Sequence, residues 1–117
     1  MSPRHWEQRV ADMIEAMEEI QRLSGTRDAA ALGADAAVFK AILYNFIVIG
    51  EAARSIPDSI CAQHPAIDWA GIRAMRNIVT HVYFGVDAAR VHDTIQRDLP
   101  STLRALRMMI GTPPSGS

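Results

Sequence analysis

The residues best equipped for chemistry lie together in RNIVTHVY (76–83), where Arg76, Asn77, His81 and Tyr83 stand among four apolar or β-branched neighbours. An arginine presents a planar fork of donors that fits a phosphate, and a histidine exchanges protons near neutral pH. Three readings compete for this cluster: a catalytic site, a buried polar network, or a helix end exposed to water. On a regular helical wheel of about 100° per residue, Ile72, Met75, Val79 and Val82 form the core stripe. Arg76 and Tyr83 share its shoulder, Thr80 and Arg73 come next, and Asn77 and His81 lie together on the opposite face. Arg76 and His81 are then about 140° apart. They meet at one phosphate only if the helix ends near His81, where Gly85 offers an end, or if a second chain completes the site. The competing reading is a surface histidine near a helix C-terminus, where the dipole favours an imidazolium.

Glu51 closes the apolar run VIGEAA (48–53), where an unpaired carboxylate would be costly. An arginine of the motif segment, Arg73 or Arg76, is its expected partner. As an ion pair, Glu51 orients that arginine; as a catalyst, it is a general base with a raised pKa. Gly50 beside it is expected to let another helix approach closely. Other constellations are weak. His5, His64 and His92 lie on separate segments without metal-ligand spacing, so no metal or cofactor is expected. No glycine-rich phosphate loop is present, and Cys61 reads as an inert, half-buried thiol.

The elements that must position these residues are helical throughout. Trp6, Val10, Met13, Ile14, Met17 and Ile20 repeat at three and four, opposite Glu7, Asp12, Glu15, Glu18 and Glu19, until Gly25. Residues 27–35 read as a loop with room for one helical turn. Asp35 caps a second helix running to about Arg54, apolar nearly all round and therefore central or covered on one side by a partner chain. A short turn over Asp58–Gln63 follows Pro57, and Asp68 caps the helix carrying the motif. FGVD (84–87) forms a turn, with Asp87 capping a last helix that Pro100 kinks or divides. The expectation is an all-α bundle of four to five main helices, one domain over 1–110, with a disordered tail at 111–117.

Composition is that of a globular domain, 49% apolar and 21% charged. A single cysteine, the absence of a signal-peptide pattern, and an apolar run (41–50) too short to span a bilayer predict a cytoplasmic protein. Charge is uneven. Residues 1–70 carry six basic and ten acidic side chains, whereas 71–117 carry six arginines and three aspartates. Lys40 is the one lysine. The balance excludes a general nucleic-acid coat and permits a local phosphate site, although an arginine bias also follows from a GC-rich genome.

Arg76-x(4)-His81-x-Tyr83, with Asn77 directly after the arginine, resembles the signature of the HepT-like toxins of the HEPN superfamily. IGEAAR (49–54), HPAIDWAGIRAMRNIVTHVYFGVD (64–87) and RDLP (97–100) resemble the family in content and order, so the likeness covers most of the chain. An alanine-rich stretch at 24–35, and His92 where the family often has a larger aromatic, depart from it without touching the motif. The resemblance implies a helical homodimer whose motifs face each other across a cleft. It implies a metal-independent endoribonuclease, the toxin of a type VII toxin–antitoxin pair. His81 would then be the acid or base and Arg76 the phosphate ligand, with Asn77, Glu51 and Arg73 in support. Tyr83 would be the residue that a cognate minimal nucleotidyltransferase antitoxin adenylylates, its competing role being a packing aromatic. The alternative function is a non-catalytic helical dimer that binds RNA, nucleotide or a nucleotidyltransferase.

Overall fold

The structure, a computed structural model, describes residues 5–78 and 88–111. Seven helices occur among them: α1 (His5–Ser24), α2 (Ala29–Ala34), α3 (Ala36–Arg54), α4 (Asp58–Gln63), α5 (Trp69–Ala74), α6 (Ala88–Arg97) and α7 (Leu99–Met109). Four are long, and no strand occurs among the described residues. This is the expected all-α bundle. The 84–87 turn, the Asp87 cap and the tail beyond Gly111 lie outside the described residues.

Local chemistry sets the boundaries. Gly25 stops α1 with φ at +54°, donating to the Gln21 carbonyl, a left-handed cap that costs glycine little. The Asp35 carboxylate accepts from Val38 N at 3.2 Å and starts α3. Asp68 accepts from Gly71 N at 3.0 Å and starts α5. Asp98 separates α6 from α7, with Pro100 in the first turn of α7, where its missing N–H costs nothing. Residues 27–35 hold more helix than expected: Asp28 caps the six-residue α2, accepting from Ala31 N at 2.8 Å.

The core is one apolar cluster centred on α1 and α3. Val10, Met13, Met17 and Ile20 of α1 are fully buried, as are Ile42, Phe46, Ile49 and Ala53 of α3, each set stepping by three and four. Leu32, Val91, Leu99 and Leu106 close the same cluster from α2, α6 and α7. By length and composition α3 could cross a membrane, but its inner face is the centre of this core. Its other face is open in the single chain: Lys40, Tyr44 and Glu51 are exposed, with Ile47 and Val48 half-buried between them. Asn45, buried within the apolar run, donates Nδ2 to the Ala41 carbonyl at 2.9 Å, so its amide is satisfied inside its own helix.

The motif does not begin within one continuous helix, as the wheel assumed. α5 ends at Ala74, and Met75 and Arg76 form a turn. Met75 N donates to Ile72 O and Ile78 N to Met75 O, both at 3.1 Å, three residues back rather than four. Such tightened turns eclipse side chains at every third residue. Ile72, Met75 and Ile78 are accordingly all buried in the core, whereas a regular wheel places Ile78 about 120° from Ile72.

Candidate functional site

Two anchors fix the segment leading into the site. Trp69 is buried, and its indole Nε1 donates to the His64 carbonyl at 3.1 Å, tying α5 to the preceding loop. On the other side, Gly50 of α3 lies directly against the backbone of residues 73–76. A Cβ at Gly50 would come within 2.8 Å of Arg76 Cβ, 2.9 Å of Arg76 N and 3.1 Å of Arg73 O. Glycine is therefore required for this approach, and the approach brings the next residue, Glu51, to Arg76.

Arg76 Nη1 and Glu51 Oε1 are 2.9 Å apart. Their side chains are 39% and 53% exposed, so the pair contributes under about 1 kcal/mol to folding. Its consequence is orientation: one donor of the guanidinium is fixed and the remaining donors are left for another acceptor. Glu51 is exposed on the open face of α3 instead of enclosed by it.

Arg73, the other candidate partner of Glu51, turns toward α4. Its Nη2 lies 3.3 Å from Cys61 Sγ and 3.9 Å from Asp58 Oδ1. Burial pushes the Cys61 thiol above its ordinary value of 9.0; the Arg73 charge and hydrogen bond oppose this and Asp58 adds to it. Desolvation wins over the neighbouring cation, and the thiol is not activated.

Arg54, Ala70, Arg73, Ala74, Arg76 and Asn77 line an open depression of about 550 Å³. Three arginines and an asparagine are among these lining residues and no carboxylate is, a charge balance that favours an anion. A hollow of similar size, about 560 Å³, lies between α1 and α3, but Asp12, Glu15, Glu19 and Glu51 line it against Arg9 alone. Its charge has the wrong sign for phosphate. Asn77 is exposed at the edge of the arginine-lined depression. His81 and Tyr83, the candidate acid/base and the candidate modification site, lie outside the described residues.

Arg54 was missed by sequence reasoning. The available signal was its spacing: it follows Gly50 by four residues, which puts it on the same face of α3 as the close approach to α5.

Comparison with known proteins identifies the family. The family model described as Ribonuclease HepT-like matches residues 13–109. A protein from Thermococcus cleftensis named as a probable ribonuclease HepT is 34% identical over 79% of this chain and 81% of its own length. Two Methanocaldococcus jannaschii proteins carried as candidate RNases, MJ0127 and MJ0125, are 24% and 28% identical. Each alignment covers 85% of this chain, and 82% and 85% of the respective relative. No solved structure matches the chain. With the family model spanning all but the ends of the chain, and a relative 34% identical over most of both chains, the chain belongs to the HepT-like ribonuclease family.

Proposed function

We propose that this protein is a metal-independent endoribonuclease acting in the cytoplasm as the toxin of a toxin–antitoxin pair. The observation that carries the proposal is the arginine-lined depression at the start of the motif, with Arg76 held ready by Glu51 five residues before His81.

The chemistry suits these residues. RNA supplies its own nucleophile, so the enzyme must move protons and stabilise charge. His81 takes the proton of the 2′-hydroxyl as the oxygen attacks phosphorus, and the 5′-oxygen leaves with a proton from an acid in the site. Arg76 donates to the non-bridging oxygens, where charge builds in the transition state. Asn77 binds the phosphate or orients the imidazole. The products are a 2′,3′-cyclic phosphate and a 5′-hydroxyl. In a homodimer, a second Arg76 and a second His81 join one composite site, which removes the need for both to act from the same helix. Adenylylation of Tyr83 by a nucleotidyltransferase antitoxin would set a phosphate beside Arg76 and occupy the anion site.

The test is cleavage of RNA by purified protein in excess EDTA, beside His81→Ala, with intact mass confirming an unmodified Tyr83. Cleavage that survives chelation and is lost in the variant supports the proposal. A folded, unmodified protein that binds RNA through Arg76 without cutting it would be a binding module instead.

A further inference from the structure

The three arginines of the depression are not equivalent. Arg76 is committed to Glu51, and Arg73 to Cys61 and Asp58. Arg54 has no hydrogen bond or ion pair among the described residues, although it lines the same depression and lies on the last turn of α3. A cation at a helix C-terminus complements the dipole wherever it points, so the dipole does not explain why this one lines a depression with two other arginines. An anion there would be attracted by all three charges, and it would meet in Arg54 the one of the three without a partner among the described residues.

We infer that Arg54 binds a second phosphate of the RNA, one flanking the bond that is cut; this rests on the ribonuclease reading above. The tethered Arg76 gives the fixed geometry that a reacting phosphate requires. The untethered Arg54 gives charge with reach, which serves a phosphate that only has to be held. Such a contact binds the ground state and the transition state alike, so it lowers KM without raising kcat. RNA extending beyond the scissile linkage is thereby favoured over the shortest substrates.

The experiment measures binding of a 2′-O-methyl oligonucleotide, whose blocked hydroxyl prevents cleavage, to wild type, Arg54→Gln and Arg54→Lys across a salt series. Cleavage of the matching RNA is measured in parallel, and circular dichroism confirms that each variant is folded. Each phosphate contact on a single strand contributes about 0.7 to the slope of log K against log salt. Arg54→Gln is expected to reduce the slope by that amount, weaken binding about tenfold, and raise KM far more than it changes kcat. Arg54→Lys keeps the slope. Wild type that binds and cuts RNA, with Arg54→Gln matching it in slope and KM, would overturn the assignment of Arg54 and leave the ribonuclease reading standing. Wild type that neither binds nor cuts would overturn both.

Discussion

Gly50→Ala probes the contact that sets the site. In an open helix this substitution stabilises by about 1 kcal/mol, because alanine gives up less backbone freedom. Here the new methyl would lie 2.8 Å from Arg76 Cβ, 2.9 Å from Arg76 N and 3.1 Å from Arg73 O. That is roughly 1 Å inside ordinary carbon contact. Two of the three atoms are backbone and the third is a Cβ, so no rotamer change relieves the clash. α3 and residues 73–76 must separate. Overpacking of this kind costs about 1–3 kcal/mol; less the propensity gain, the net loss lies between about 0 and 2 kcal/mol. At about 4 °C per kcal/mol for a domain of this size, Tm falls by up to about 8 °C. The effect on activity should be larger. With Arg76 as the proposed phosphate ligand, moving it by about 1 Å would cost on the order of 100-fold, so kcat/KM should collapse in a variant that remains folded at assay temperature. Thermal melts and RNA cleavage on the same preparation check both halves. A variant that melts above wild type and cuts RNA at the wild-type rate would refute the reasoning, since Gly50 would then have slack around it.

Glu51→Gln should change folding stability by under about 1 kcal/mol, because the pair with Arg76 is half exposed, yet lower kcat/KM at least tenfold by freeing the guanidinium. If Glu51 only orients Arg76, the surviving activity keeps the wild-type pH profile; loss of the acid limb would identify Glu51 as the base. At Cys61, where burial outweighs Arg73, the thiol holds its proton at neutral pH and should react with iodoacetamide more slowly than free cysteine. Because its folded pKa is raised, the contribution to stability is full below the ordinary value of 9.0 and is lost as pH rises through the folded value. Melts of wild type and Cys61→Ala at alkaline pH check this: the wild type should lose Tm more steeply, and parallel curves would contradict the burial argument.

Much of the fold is legible because it is written locally. Asp35 and Asp68 announce helix starts by the carboxylate that caps them, and Pro100 marks the division between α6 and α7. Gly50 marks a close approach because a glycine within an apolar helix has few other uses. The open face of α3 is illegible for the opposite reason: Tyr44, Ile47 and Val48 are as apolar as the buried side, so composition does not say which side faces α1. The same ambiguity makes Glu51 look enclosed when it is exposed.

The break at Met75 and Arg76 has no glycine or proline to announce it. Its step of three residues accompanies the burial of Ile72, Met75 and Ile78 together, a tertiary contact that no local residue type announces. This break also bears on how the charges are assigned. Arg73 and Arg76 are one turn apart in sequence, and either is a reasonable partner for a carboxylate on α3. Arg73 still belongs to the regular turn of α5 and faces α4, where Cys61 and Asp58 receive it. Arg76 follows the tightened turn, and its backbone is pressed against Gly50, so its side chain emerges beside Glu51. The choice between the two arginines depends on the backbone contact at Gly50 as much as on any side-chain preference, which is why substitution of a residue with no side chain is expected to disturb the charged site more than it disturbs the fold.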